Sequence, residues 1–222
     1  RAPGMTLVSS GAVSHGEMVA IAQEKFSNVG GQAAGASEAA RYVGGDYRET
    51  QDLEQTHIAY AFPGISARDP DFYVAQLYAT VLGGGMSSRL FQEVREKRGL
   101  CYAIYAFANN FQDGGFTGIY VGTSHKDAGE VSAVIAGEME AMTSHITAEE
   151  LNRAKAQLKS GLLMGLERPG TRAENIAGQI FALGRVIPMA EIVEKLEATT
   201  VEEVKRFAAF TMQAPTMAAL GP

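Results

Sequence analysis

A β-hairpin in the middle of the chain constrains the fold most. Two runs rich in aromatic and β-branched residues, at 100–111 and 116–125, are separated only by the four residues QDGG. A glycine-containing connection this short forces two strands to pair in antiparallel orientation. The sequence therefore predicts an antiparallel sheet with this hairpin in it.

Further strands and a block of helices surround the hairpin. Strands are predicted at residues 5–13, 55–62 and 214–222, and helices at 15–29, 70–83, 88–98, 126–145, 148–166, 171–185, 189–198 and 201–212. Ser87 or Ser88 is the expected N-cap of the third helix. Capping boxes, in which Ser or Thr is followed three residues later by Glu, mark three other helix starts: Ser14 with Glu17, Thr147 with Glu150 and Thr200 with Glu203. Because most strands precede most helices, we expect an α+β fold with an antiparallel-rich sheet packed on one face by several helices.

The composition is that of a globular protein and argues against two classes of partner. The chain has 222 residues, 46% of them hydrophobic, and a formal net charge of -6. An acidic surface is unsuited to nucleic acid or to anionic membranes. No apolar run approaches 18 residues and no leader pattern is visible, so we expect no membrane span and, by default, a location in the bacterial cytoplasm. The expected partner is a peptide, a small molecule or another subunit.

The first residues favour a piece of a longer protein. The chain opens directly on a strand pattern, and the order Ala-Pro, Met, small-apolar run and Gly near the start returns at the end in QAPTMAALGP. This echo suggests the tail of one repeat followed by most of a second. We therefore divide the chain into the last strand and helix of an N-terminal domain (1–29), a Gly/Ala/Ser-rich linker (30–45) and a second domain (46–222). The echo also suggests that the first segment docks beside residues 214–222 or on a neighbouring molecule.

The sequence gives little support for a metal site or for a catalytic nucleophile. The histidines His15, His57, His125 and His145 are far apart in sequence, and no two have the spacing that places two imidazoles on one helical face. We therefore expect no metal site in this chain. Cys101, the single cysteine, alternates with apolar neighbours and is expected to be a small core residue.

The charged helix at 88–98 has two interpretations. Charged residues of both signs follow one another along it: Arg89, Glu93, Arg95, Glu96 and Arg98. Taken alone, they indicate a solvated helix face with weak ion pairs. However, Arg95 near the helix end and Tyr102 at the start of the next strand are joined by a tight connection. These two side chains are therefore able to direct a guanidinium and a phenol, both hydrogen-bond donors, towards one peptide carbonyl.

The segment 82–107, LGGGMSSRLFQEVREKRGLCYAIYAF, resembles the C-terminal domain of the pitrilysin-type zinc peptidases, and the processing-peptidase branch most. The resemblance implies two similar α+β domains that close like a clamshell around an extended peptide. It also implies zinc in the full-length enzyme, held by an inverted zinc motif in the N-terminal domain of the same or a partner chain, with none bound by this fragment. In that family the C-terminal domain supplies an Arg and a Tyr seven residues apart, which match Arg95 and Tyr102.

Several roles follow from this resemblance. Arg95 and Tyr102 are the expected catalytic residues, which bind the substrate backbone and stabilise the transition state. Arg89 is either a substrate contact or part of a structural ion pair. Glycines are expected to have structural roles: Gly83, Gly84, Gly85 and Gly99. The expected function is that of the substrate-clamping domain of a zinc endopeptidase. The expected assembly is a homo- or heterodimer. The alternative is a non-catalytic scaffold or partner subunit, as in the core proteins of respiratory complexes.

Overall fold

The computed structural model describes residues 4–31, 35 and 38–222. Within these residues, five strands form one sheet: β1 (Gly45–Thr50), β2 (Thr56–Pro63), β3 (Cys101–Asn110), β4 (Gly115–Thr123) and β5 (Thr216–Gly221). The α-helices are α1 (His15–Phe26), α2 (Phe72–Gly83), α3 (Ala128–Met142), α4 (Ala148–Leu166), α5 (Pro169–Leu183), α6 (Met189–Ala198) and α7 (Val201–Thr211). A π-helix spans Phe91–Glu96 and a short 3-10 turn spans His125–Asp127.

The sheet is mixed but mostly antiparallel. Its strand order is β1-β5-β2-β4-β3, and only the pairing of β1 with β5 is parallel among the described strands. The hairpin predicted from the QDGG connection is confirmed as β3 and β4, which pair antiparallel. The α+β fold class is therefore confirmed.

The core lies between one face of the sheet and the helices. Alternate residues of β4, such as Ile119 and Val121, are fully buried on this face, as the two-residue period of a strand requires. Helix α2 is central, because nine of its twelve residues are buried. Its Leu77 and Tyr78 are completely inaccessible, and burying each such side chain contributes roughly 1.5–3 kcal/mol before the cost of ordering the chain. Burial raises the pKa of Tyr78 to about 12, although a hydrogen bond with Thr211 opposes the shift.

All three predicted capping boxes are confirmed. The side-chain oxygens of Ser14, Thr147 and Thr200 each accept a hydrogen bond from the backbone N–H three residues on, and the Glu at that position accepts one from the cap's backbone N–H. Each box satisfies backbone donors that the helix cannot satisfy itself. Helices α4 and α6 have the bounds predicted from the sequence, and α7 ends one residue earlier than predicted.

The strand predicted at residues 5–13 is wrong. These residues have no regular secondary structure, and no described strand pairs with them. A strand needs a partner for its backbone N–H and C=O groups, so a local β pattern without one does not produce a strand. Helix α1 does form, but none of its residues is buried. Its apolar side chains, including Ile21 and Phe26, are exposed to solvent.

A polar strand occupies the position beside β5. Strand β1, with the sequence GDYRET, pairs with β5 along its whole length, so the described neighbours of β5 are β1 and β2 rather than the first segment of the chain. The sequence analysis did not predict β1, because every one of its residues is exposed and it shows no apolar alternation. Only its pairing with a distant segment identifies it as a strand.

The segment before β1 is attached to the sheet. The predicted linker, 30–45, lies partly outside the described residues, but residues 38–44 are described and have no regular structure. The Tyr42 hydroxyl donates a hydrogen bond to the carbonyl of Ala61 (2.7 Å) and accepts one from the backbone N–H of Thr216 (2.5 Å). The backbone N–H of Ala40 donates to Asp113 Oδ2 (2.8 Å). These bonds fix the entry of the chain into the sheet.

Across the part of the chain that the structure describes, no helix is both long enough and apolar enough to span a bilayer.

Gly83, the last residue of α2, lies directly against β3. An added Cβ would lie 2.7 Å from the Cβ of Ala106, which is too close for two carbon atoms. We expect Gly83→Ala to lower the free energy of unfolding by about 1–3 kcal/mol, since the helix and the strand must separate. Urea denaturation followed by circular dichroism measures this change.

Gly161, in the exposed face of α4, provides a matched control. An added Cβ at Gly161 has no neighbour within 4 Å. Gly161→Ala is therefore expected to raise the free energy of unfolding by up to about 1 kcal/mol, because alanine favours a helix. Equal stability of the two variants would show that α2 and β3 are not in close contact.

Candidate substrate-binding site

Arg95 lies on a π-helix rather than on the predicted α-helix. The backbone N–H of Lys97 donates to the carbonyl of Gln92 (2.9 Å), five residues earlier, which is the π-helical pattern. Leu90 and Val94 are fully buried and hold this segment on the core. Single π-turns are frequent at functional sites. The segment predicted at 88–98 is thus helical, but its turn is wider than expected.

The cap predicted at Ser87 or Ser88 is not made by Ser88. The Ser88 Oγ is buried and has no hydrogen-bond partner among the described residues. The carbonyl of Ser88 accepts the backbone N–H of Gln92 (3.0 Å), the first bond of the helix, so Ser88 occupies the N-cap position but its side chain does not cap the helix.

Gly99 reverses the chain between this helix and β3. Its φ is +65°, in the left-handed region where a side chain is strained. The backbone N–H of Gly99 donates to the carbonyl of Arg95 (3.1 Å), and that of Leu100 donates to the carbonyl of Val94 (3.0 Å). The turn therefore fixes the backbone of Arg95 relative to the start of β3.

Tyr102 occupies a β-bulge at the start of β3. Cys101 is opposite Thr123 and Ala103 is opposite Gly122, so Tyr102 has no partner residue on β4. Tyr102 is 75% exposed to solvent. A bulge changes the direction of a side chain, and bulges are common next to active sites. The irregular backbone therefore presents the phenol to solvent.

Arg95 is exposed and is not neutralised by a nearby carboxylate. Its guanidinium carbon lies 4.8 Å from the ring centroid of Phe91. No ion pair or hydrogen bond of this side chain is found among the described residues. Burial raises the pKa of the Cys101 thiol, and the positive charge of Arg95 partly opposes that shift. Arg95 is thus close enough to the first residue of β3 to act on it electrostatically.

Cys101 itself is half-buried and packs against the core cluster, in agreement with the core position predicted for it.

A row of aromatic rings covers the sheet face opposite the helical core. We call it the aromatic row; its members are His57, Tyr105, Phe107, Phe116 and Tyr120. The rings follow one another at centroid distances of 6.0 Å (His57–Tyr120), 5.1 Å (Tyr120–Tyr105), 6.0 Å (Tyr105–Phe107) and 6.0 Å (Phe107–Phe116). Such spacings are favourable for aromatic pairs. The sequence analysis did not recognise this row, although alternate positions of β3 and β4 carry every member except His57, which lies on β2.

The row is partly exposed and is held by specific contacts. His57 Nδ1 and the Tyr120 hydroxyl lie 2.7 Å apart, in hydrogen-bond contact. Gly118 of β4 lies beneath the Phe107 ring, because an added Cβ would collide with it. Tyr105 is 48% exposed. The open face of the sheet thus offers apolar ring surface that follows β3 away from Tyr102.

Arg89 forms a partly buried ion pair. Its side chain is 11% exposed, and its Nε donates to Glu150 Oε1 (2.7 Å). A second guanidinium nitrogen donates to the carbonyl of His145 (2.5 Å), and Glu138 lies 3.8 Å away. Hydrogen bonds thus engage Nε and Nη2 of the guanidinium, and Nη1 is the nitrogen that lies near Glu138. The geometry favours the structural alternative for Arg89 over a substrate contact.

The glycines after α2 have close neighbours. A Cβ at Gly84 would lie 2.6 Å from Thr80 Cα, and one at Gly85 would lie 3.1 Å from the amide of Gln157. The Gln157 side chain on α4 also donates to the carbonyl of Gly84 (2.6 Å). A side chain at Gly84 would collide with the last turn of α2, and one at Gly85 would displace the Gln157 amide of α4, which gives both glycines a packing reason independent of any ligand.

The described residues do not form a metal centre. Nowhere in residues 4–31, 35 and 38–222 do three His, Cys, Asp or Glu side chains converge as metal ligands would. His57 is engaged by Tyr120. The donor set required for zinc is thus not met by this part of the chain.

Comparison with known proteins gives consistent matches. The sequence profile described as "Peptidase M16 inactive domain" matches residues 1–158. A protein of Rickettsia felis named "Uncharacterized zinc protease" is 34% identical over 227 residues, which cover 100% of this chain and 54% of that protein. The chain therefore spans about half the length of this relative.

Solved structures show the same fold. A peptidase M16 inactive domain from Pseudomonas fluorescens superposes with a TM-score of 0.81 at 24% identity, covering 96% of this chain and 52% of that one. A chain of Complex III2 from Candida albicans has a TM-score of 0.81 at 21% identity, covering 94% of this chain and 53% of that one.

Proposed function

This chain belongs to the family of M16 peptidase inactive domains, and we propose that it is the substrate-clamping half of a zinc-dependent endopeptidase that cleaves extended peptides. The family predicted from the segment 82–107 is thereby confirmed, and its relatives include proteins named as zinc proteases. The clamping role, the peptide substrate and the activity of the full-length protein are parts of the proposal.

One observation carries the proposal. Arg95 and Tyr102 are both exposed, and each is presented by an irregular backbone, a π-helix in one case and a bulge in the other. Arg95 has no described carboxylate partner, so its N–H groups are available to a ligand. A guanidinium and a phenol are both able to donate hydrogen bonds to a peptide carbonyl, and such bonds accelerate hydrolysis if they strengthen as negative charge develops on that oxygen.

The aromatic row supports an extended substrate. One of its members, Tyr105, lies three residues after Tyr102 in sequence, and the row provides a surface on which apolar side chains of a peptide are able to pack. An extended chain directs alternate side chains to one side, so several of them meet the same surface. This arrangement suits a peptide bound along the sheet better than a small molecule bound at one point.

The zinc belongs elsewhere in this proposal. Since the described residues lack a suitable ligand set, we assign zinc to the rest of the full-length protein or to a partner chain, and we assign no zinc-dependent step to these residues. The expectation is testable by elemental analysis and peptide cleavage. The full-length protein should contain about one zinc per active centre and cleave a fluorogenic peptide, whereas the 222-residue chain should do neither.

Two outcomes would contradict the assignment. Stoichiometric, tightly bound zinc in the isolated chain would show that a metal site had been overlooked. A full-length protein without zinc and without cleavage would favour the alternative function, a non-catalytic scaffold or partner subunit. A catalytically inactive chain that becomes active when a separately expressed zinc-binding domain is added would support the clamp.

A further inference from the structure

We propose that Phe91 is a positioning residue for Arg95, holding the guanidinium over its ring so that the N–H groups remain free for the substrate carbonyl. This inference rests on the proposed function and adds a residue to it. Phe91 is the first residue of the π-helix and Arg95 the fifth. The guanidinium carbon of Arg95 lies 4.8 Å from the ring centroid of Phe91, within the range of a cation–π interaction.

The cation–π contact leaves the N–H donors of the guanidinium free, whereas an ion pair would occupy them. A cation over an aromatic ring is attracted through its flat face, whereas the five N–H donors of arginine point outward in the guanidinium plane. A carboxylate partner would instead occupy two of these donors and neutralise the charge. Holding Arg95 by a ring therefore restricts the side chain while both its donors and its charge stay available.

The wide helical turn contributes to this geometry. A π-helical turn contains more residues than an α-helical turn, and this brings side chains four apart closer to vertical alignment along the helix axis. The buried Leu90 and Val94 fix the helix on the core on either side of Phe91. Phe91 is itself half-buried, so its ring is held while Arg95 reaches into solvent.

The size of the effect follows from the type of contact. An exposed arginine without partners divides its population among many rotamers, and an exposed cation–π contact favours one of them by about two- to fivefold. Loss of the ring should therefore lower kcat by about that factor. It should leave KM nearly unchanged, because the donors that bind are still present but are correctly placed less often.

The test is steady-state kinetics of the full-length protein with a fluorogenic peptide. We expect Phe91→Leu to lower kcat about two- to fivefold and Phe91→Tyr, which keeps the ring, to restore it. In an Arg95→Ala background, Phe91→Leu should have no further effect, since the two residues act as one unit. Phe72→Leu is the matched control: Phe72 is also half-buried and begins a helix, but lies on α2, and its kcat should not change.

A spectroscopic measurement tests the contact without catalysis. A proton above an aromatic ring is shifted by the ring current, so the Nε–H resonance of Arg95 should move in Phe91→Leu and return in Phe91→Tyr. The resonance is assigned by its loss in Arg95→Ala. An unmoved resonance would overturn the inference.

The kinetic outcomes separate this inference from the proposed function. If Arg95→Ala lowers turnover but Phe91→Leu does not, Phe91 is not a positioning residue and the clamp stands. If Phe91→Leu lowers kcat by the same factor in the wild-type and Arg95→Ala backgrounds, the role of Phe91 is purely structural and the inference fails. If Arg95→Ala itself leaves turnover unchanged, the proposed function fails.

Discussion

Replacing Arg95 with alanine in the full-length protein is expected to lower peptide turnover by about ten- to a thousandfold, and Tyr102→Phe should act in the same direction. In the proposed function each change removes a hydrogen-bond donor from the reacting carbonyl, and such a donor contributes most as charge develops on the oxygen. Both residues are exposed, so folding should be nearly unaffected. The measurement is kcat and kcat/KM with a fluorogenic peptide, together with thermal denaturation.

Controls from the same structure make this result specific. Arg98→Ala removes an exposed cation from the same turn, one that lies 3.8 Å from Glu93. Tyr47→Phe removes a phenol from β1 that is engaged by Glu49 at 2.7 Å. Neither control should change turnover by more than about twofold, because exposed surface pairs contribute little. Unchanged kinetics in both Arg95→Ala and Tyr102→Phe would refute the assignment.

Replacing Arg89 with methionine is expected to destabilise the fold by about 3–5 kcal/mol. The reason is that Glu150 and Glu138 would remain partly buried without their cation. The measurement is the free energy of unfolding in urea at neutral pH. Arg153→Met is the control, since its pair with Glu149 is exposed and should contribute under about 1 kcal/mol.

The effect of Arg89→Met should depend on pH. Partial burial raises the pKa of Glu150, but hydrogen bonds from Arg89 and Thr147 outweigh it and lower the pKa to about 2. A carboxylate whose pKa is lowered in the folded state stabilises the fold above its unfolded pKa, and this contribution is lost as pH falls. The difference between wild type and Arg89→Met should therefore shrink between about pH 4.5 and pH 2. A stable variant with impaired peptide turnover would instead support a substrate contact for Arg89.

Local signals predicted much of the fold. The capping boxes and helical periods identified α4, α6 and α7 closely, because short-range hydrogen bonds determine where a helix begins. The QDGG connection identified the hairpin because a short glycine-containing turn is also a local signal. Strand β1 was missed and residues 5–13 were wrongly predicted as a strand, because strand formation depends on a partner far away in sequence.

The geometry of the candidate site was not predictable from the sequence. Arg95 and Tyr102 were recognised through a resemblance. The π-turn and the bulge that present them depend on how Leu90 and Val94 pack and on the register with β4, which no local pattern contains. The aromatic row was within reach of the sequence, since Tyr105 and Phe107 alternate along β3. It was overlooked because rings in a strand usually indicate a core.

The bulge at Tyr102 also bears on solubility. The two outer strands of the sheet, β1 and β3, each leave a line of unpaired backbone groups, to which another protein's strand is able to add. Strand β1 is shielded by charge, with Asp46, Arg48 and Glu49 along its length. Strand β3 carries the bulge instead, and a bulge disrupts the straight edge that edge-to-edge aggregation requires. The bulge that exposes the phenol thus also opposes edge-to-edge polymerisation of the sheet. Removing the bulge would both redirect the Tyr102 side chain and create a straight edge prone to aggregation.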